Sequence, residues 1–168
     1  MKWLIWCVSF IGLYLGVFWL HIVLKRDKVF KKITEYPKVS LIVPAMNEEN
    51  CLAKTVHSIM NLDYPKDKLQ VIMVNHGSTD NTQKVAEMLL QRYKDMDLIL
   101  LNLKRENGHT KANAVNAGLV RADGKFIGCV DADTILMSQC LKEMIPNFDI
   151  SNVGAVISTI KVSQPKNI

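Results

Sequence analysis

Cysteine pairs are missing from this chain. Its four cysteines, Cys7, Cys51, Cys129 and Cys140, contain no Cys-x-x-Cys spacing. A disulfide framework and structural zinc are therefore not expected, and the thiols read as reduced in a chain facing the cytoplasm. No internal repeat and no low-complexity tract occurs, which excludes solenoids and compositional arrays. Charge of one sign is scarce too. The net charge is only +5, and much of the excess lies in Lys25-Arg26-Asp27-Lys28 and Lys31-Lys32. A basic excess confined to one linker is a poor footprint for nucleic acid, and no nucleic-acid partner is expected. At 168 residues the chain has room for one domain, or part of one.

What the sequence does have is one long apolar run, from Trp3 to Leu24, with His21 the only residue in it that can carry charge near neutral pH. About 22 residues of helix suffice to cross a hydrocarbon core of about 30 Å. Trp3, Trp6 and Trp19 lie toward its ends, where aromatic rings favour the interface. A cleavable signal peptide is the competing reading, but basic residues follow Leu24 where a small-residue cleavage site would be needed. The run at 3–24 is therefore expected to be an uncleaved single-pass anchor in the cell membrane. The basic linker at 25–38 would be cytoplasmic and close to anionic headgroups, and the remainder, 39–168, would face the cytoplasm.

Beyond the linker, apolar strands alternate with amphipathic helices. Val39–Val43 reads as a first strand stopped by Pro44, and a helix follows Asn47-Glu48-Glu49-Asn50 as far as Met60. Leu69–Val74 is a second strand, Lys84–Arg92 a helix with Val85, Met88 and Leu89 on one face, and Leu98–Leu103 a third strand. Lys111–Val120 is a helix with alanines on its packing side. Phe126–Val130 reads as a buried strand, Ser138–Asn147 as a helix, and Val153–Ile160 as a fifth strand. Crossovers of this length suit parallel pairing. The fold class is α/β, a doubly wound, mostly parallel sheet.

Polar or small residues dress the ends of several strands: after Val43, after Val74, after Leu103 and after Val130. Open α/β sheets bind ligands there. Asp131-Ala132-Asp133 is the focus. An isolated Asp-x-Asp is more often a turn capping the next helix, but the other strand ends favour a ligand site. In an extended segment residues two apart point the same way, so both carboxylates could hold one hard cation with a diphosphate. Lys111 opens a helix, where free N–H groups favour anions, although a solvated lysine is the plainer reading. Asn47 and Glu48 could simply introduce the first helix. His76 and His109 lie in strand-end loops as phosphate contacts or solvated side chains. His57 reads as helix surface or packing, His21 has no role, and Cys129 reads as packing.

Four segments in order resemble a known family. Val39-Ser40-Leu41-Ile42-Val43-Pro44-Ala45-Met46-Asn47-Glu48, Gly77-Ser78-Thr79-Asp80-Asn81-Thr82, the run from His109 through Lys111-Ala112 to Asn116-Ala117-Gly118, and Asp131-Ala132-Asp133 are similar to the motifs of processive, membrane-bound family 2 glycosyltransferases. That group includes cellulose, hyaluronan and poly-N-acetylglucosamine synthases. The resemblance covers roughly 39–160. It implies a GT-A fold, a nucleotide-sugar donor (usually a UDP-sugar) and a Mg2+ or Mn2+ ion. Pro44, Asn47 and Glu48 would lie along the nucleoside and Lys111 would approach the nucleotide. Asp131 would sit near ribose and metal, and Asp133 would bind the metal. The implied chemistry is sugar transfer, normally with inversion, to an acceptor hydroxyl on a carbohydrate or lipid-linked acceptor, in polysaccharide or glycolipid synthesis.

Two departures qualify the resemblance. Asn75-His76 stands where the family usually has Asp-Asp before Gly-Ser. An Asn75 carbonyl can still accept from a uracil N–H, without charge assistance. Second, the family's Asp base in a Thr/Ser-Glu-Asp type motif, and its Gln-x-x-Arg-Trp, would lie beyond Ile168. No catalytic residue is therefore assigned. The expectation is a truncated GT-A domain that binds the donor, with the remainder of a synthase or a partner subunit supplying the rest. The alternative is a non-catalytic nucleotide-binding or regulatory membrane module, or an inactive fragment.

Overall fold

The computed structural model describes residues 2–24, 35–104, 110–159 and 161. The chain divides into two units, Met1–Lys31 and Lys32–Ile168. In the first, α1 (Lys2–Leu24) is one helix of 23 residues with none buried. Its length is about 34 Å at the usual helical rise, and its mean hydropathy of 2.1 suits a membrane span. Residues 25–34 of the expected linker lie outside the described residues.

The second unit alternates strand and helix: β1 (Val39–Ala45), α2 (Leu52–Met60), β2 (Leu69–His76), α3 (Thr82–Arg92), β3 (Asp97–Leu103), α4 (Lys111–Leu119), β4 (Phe126–Cys129) and α5 (Cys140–Met144), with short 3-10 turns at Lys66–Lys68 and Ile145–Asp149. The sheet order is β3-β2-β1-β4, and every pairing is parallel. Both faces are covered, as a parallel sheet requires. On one face Leu41, Val43, Val71 and Met73 join Leu52, Val56 and Ile59 of α2 and Ala86 and Leu89 of α3. On the other, Ile42, Ile72 and Val74 pack against Ala114 of α4. Every residue of β1 and β2 is buried. Leu52, Thr55, Val56, Ile59 and Met60 form the buried stripe of α2, at the spacing of one helical face. Gly118 lets α4 approach the sheet: a Cβ there would lie 2.6 Å from Ile42 Cγ2. The doubly wound α/β class holds.

Several boundaries differ from expectation. Pro44 does not stop β1, which runs to Ala45. Ile42 O accepts from Val130 N at 2.9 Å, so the even residues of β1 turn their backbone groups toward β4. The paired residues of β4 end at Cys129 opposite Ile42, so the N–H that Pro44 lacks faces a side where the ladder has already ended. Asn75 and His76 are the last residues of β2, paired with Asn102 and Leu103, and are not loop. On α3 the buried positions are Thr82, Ala86 and Leu89, and Met88 points outward, one residue off that stripe.

The strand expected to be buried, β4, is an edge strand. Its residues alternate between half-buried and exposed because it pairs with β1 alone among the described residues. The helix expected over 138–147 shortens to α5 and tightens into the 3-10 turn Ile145–Asp149, since Pro146 has no N–H for a helical bond. The fifth strand is absent over 153–159. Branched side chains supply fit to a neighbouring strand, and no described strand pairs with this segment. Ile157 is instead 87% exposed.

Candidate functional site

The loops at the carboxyl ends of β1 and β2 are fastened together by side chains. Asn47 adopts φ 58°, a left-handed conformation that asparagine tolerates better than most residues. Its backbone N–H donates to Ser78 Oγ at 3.0 Å, and its Oδ1 accepts from Thr79 N at 2.8 Å. Glu48 N donates to Thr82 Oγ1 at 2.8 Å, and Glu49 N to Asp80 Oδ2 at 3.2 Å. In return Glu49 Oε2 accepts from Asn81 N at 2.9 Å. Asp80 Oδ1 also accepts from Thr82 N and Thr82 Oγ1. Those bonds, the Thr82 hydroxyl first, hold the Asp80 carboxyl below its usual range despite some desolvation. Gly77, at φ 78°, turns the chain out of β2 into this clasp. Pro44 is buried just before it.

Asn75 is buried at 5% exposure, with both ends of its amide engaged. Its Nδ2 donates to Asn102 Oδ1 at 3.0 Å, and its Oδ1 accepts from Ser78 N at 3.3 Å. His76 is 8% exposed, and its Nδ1 has no hydrogen-bond partner among the described residues. His109 lies outside the described residues. His57, in the last turn of α2, shares a hydrogen bond of 2.6 Å between its Nδ1 and Tyr93 OH and packs edge-on against that ring.

Lys111 and Asp131 are 20 positions apart in sequence, and the fold brings them into an ion pair. The Asp131 carboxylate is the main reason the Lys111 ammonium is held more tightly than usual, its pKa raised against a small desolvation cost. The segment that carries the carboxylates is not extended. Thr134 N donates to Asp131 O at 2.9 Å, so Ala132 and Asp133 occupy a turn, and the expected two-residue alternation does not apply. Ala132 is buried instead, and its carbonyl accepts from Thr55 Oγ1 of α2 at 2.6 Å. Ser58 Oγ accepts from Leu136 N at 3.0 Å, so two hydroxyls of α2 hold the turn and the chain after it. Asp131 and Asp133 flank the buried Ala132, both exposed. Among the described residues no group of three or more His, Cys, Asp or Glu side chains converges. Asp131 and Asp133 would offer a cation two hard carboxylate oxygen donors. That fits Mg2+ or Mn2+, which keeps waters and phosphate oxygens in its shell, and does not fit a closed protein cage. Cys129, expected to be packing, is instead exposed at the end of the edge strand β4, although partial desolvation still pushes its thiol pKa up.

The chain is similar to known proteins. Residues 40–167 match the profile of glycosyl transferase family 2. The chain belongs to that family. A beta-monoglucosyldiacylglycerol synthase of Synechocystis is 33% identical over 72% of this chain and 25% of its own length. A poly-beta-1,6-N-acetyl-D-glucosamine synthase of Staphylococcus epidermidis is 27% identical over 95% of this chain and 40% of its own. The chain thus spans a quarter to two fifths of the length of these curated relatives. A mannosyltransferase of Pyrobaculum calidifontis, PcManGT, solved in complex with GDP-Man and Mn2+, superposes with a TM-score of 0.71 at 28% identity, covering 88% of this chain and 43% of that one. The sheet and its flanking helices are those of the GT-A fold.

The family 2 domain gathers the expected residues at one end of the sheet, in two groups. Pro44, Asn47, Glu48 and Asn75 stand at the ends of β1 and β2; Lys111, Asp131 and Asp133 stand at the start of α4 and just after β4. Sequence reading missed Thr55, Ser58 and Asn102, which hold these residues in place. Thr55 and Ser58 sit mid-helix, where a hydroxyl gives no hint of its partner. Asp80-x-Thr82 did carry a signal, the pattern of a side chain capping its own helix start.

Proposed function

We propose that this family 2 domain is the donor-binding part of a membrane-anchored glycosyltransferase that uses a nucleotide-sugar, with a divalent cation at Asp131 and Asp133. The observation that carries the reading is the Lys111–Asp131 pair beside Asp133, at the ligand-binding end of a parallel sheet. A bound Mg2+ or Mn2+ would supply charge neutralisation of the leaving nucleoside diphosphate. The chain's own residues do the rest of the holding. Asp131 and Asp133 offer the cation oxygen ligands, and Lys111, at the head of α4, meets a phosphate. Asn47 and Glu48 set the floor along which the nucleoside lies. Sugar transfer to a carbohydrate or glycolipid hydroxyl is the reaction class, in keeping with the family and with relatives named for a glycolipid and a polysaccharide product. Helix α1, long and apolar enough to span, is the proposed anchor, with the second unit on the cytoplasmic side.

The donor's base is proposed as uracil from the family resemblance, while guanine is the base in the GDP-Man complex of PcManGT. Titration calorimetry of the full chain in detergent, with UDP and with GDP, each with and without Mn2+, tests the site. Metal-dependent binding of one nucleotide is expected, and Asp133→Ala should weaken it at least about tenfold, the loss of roughly one charge-assisted ligand. Absence of binding by either nucleotide under every metal condition would remove the proposal.

A further inference from the structure

Lys111 stands between two anionic destinations. Its ammonium pairs with Asp131, and both side chains are more than half exposed, at 58% and 53%. It is also the first residue of α4. Thr110 enters that helix with extended backbone and no side-chain cap, and the first internal bonds run from Asn113 N and Ala114 N to Thr110 O. The leading N–H groups of α4 thus have no helical acceptor, as at any helix start, and face outward for an anion. Asp131 and Asp133 together give a cation only two carboxylates, and no third ligating group among the described residues completes the set.

We infer that Lys111 is a charge lock on Asp131, opened by the nucleotide, so that cation and diphosphate load as a coupled pair. This rests on the donor-site reading above. Without nucleotide, the ammonium neutralises one of the two carboxylates that the cation needs. An arriving diphosphate offers Lys111 a stronger anionic partner at the head of α4 and brings oxygens that complete the cation's shell. Lys111 moves from carboxylate to phosphate, Asp131 turns to the cation, and no charge is left bare during the exchange. A half-exposed ion pair is weak enough to be traded in this way. The coupling is reciprocal: whatever factor the nucleotide adds to cation affinity, the cation adds to nucleotide affinity.

The test measures Mn2+ binding directly, from the free-ion electron paramagnetic resonance signal, on the full chain in detergent. The probes are Mn2+ alone and Mn2+ with whichever of UDP and GDP binds the wild type. For wild type, the nucleotide should tighten Mn2+ by about 5- to 150-fold, the usual span of such couplings. In Lys111→Met, Mn2+ alone should bind more tightly than to wild type, and the added tightening by nucleotide should shrink to the part that the phosphate oxygens supply without Lys111. Lys111→Arg keeps the charge and should keep both wild-type behaviours, and Lys111→Gln should repeat the methionine pattern. Circular dichroism melts establish that each variant is folded. A folded Lys111→Met with unchanged Mn2+ affinity and full coupling overturns the lock while leaving the donor site standing. A wild type that binds no nucleotide with any metal removes the donor site itself, and the lock with it.

Discussion

Thr55 shows how one hydroxyl can set the position of a site it never lines. It is fully buried in α2, and it donates to the carbonyl of Ala132, the residue between the two aspartates. Replacing it with valine keeps the shape and removes the donor, leaving the Ala132 carbonyl buried without its partner. Thr55→Val should therefore lower stability by about 1–3 kcal/mol, read from urea unfolding. It should also weaken Mn2+ binding in the presence of nucleotide, because Asp131 and Asp133 are no longer held at one spacing. Thr55→Ser should restore the metal affinity; a serine variant as weak as the valine one would assign the effect to packing. The residues that bear charge at this site were legible in the sequence, since Asp131, Asp133 and Lys111 follow strand ends and a helix start. The hydroxyl beneath them was not, because helical spacing says that Thr55 is buried and says nothing about what it meets there. Asn75 is a similar case. Its identity suggests an open carbonyl, yet its amide is held by Asn102 and Ser78, a pairing that depends on the register between β2 and β3.

At the scale of elements, the β1–α2 and β2–α3 connections behave as one clasp with Asp80 at its centre. Its carboxylate accepts from Glu49 N on one loop and from Thr82 N and Oγ1 on its own. These bonds favour the ionised form, so its folded pKa lies below that of the unfolded chain. The sign follows from linkage. A depressed acidic pKa contributes stability that is present above the unfolded pKa, about 3.9, and is lost as pH falls through the folded one. Wild type should exceed Asp80→Asn in urea midpoint at pH 7, and the gap should close as the pH is lowered below about 4. A gap that stayed constant with pH would assign the difference to shape instead of charge. The same variant should loosen nucleotide binding, because Asn47 and Glu48 are positioned through this clasp. Element order and type were readable from periodicity, and the four strands that form the sheet are the four whose ends are dressed with polar residues. The fifth strand failed for a reason local sequence cannot contain. Val153, Val156 and Ile157 have the side chains of a strand, but pairing needs a neighbour, and among the described residues β4 pairs with β1 alone. Pro44 is the converse: it looks like a strand stop, and is tolerated because the neighbouring ladder ends first.

For the whole molecule, what matters is where apolar surface is left uncovered. The central strands β1 and β2 are buried along their full length. In contrast, Ile127 on β4, then Ile135, Met137, Ile150 and Ile157, are all substantially exposed. All five lie at or after β4, the last described strand of the sheet. An unpaired strand edge with an apolar side chain beside it is a template for pairing with another chain. The full chain in mild detergent should therefore self-associate as its concentration is raised. The β4 edge, and not α1, should be the cause, since detergent already covers α1. Ile127→Lys places on that edge the kind of charge that edge strands use to prevent pairing. In size-exclusion chromatography with light scattering, the lysine variant should shift toward the monomer at concentrations where wild type is a dimer or larger. A wild type that stays monomeric throughout would show that the β4 edge is already protected. A lysine variant that associates as strongly as wild type would move the contact away from β4, to α1 or to the exposed residues that follow.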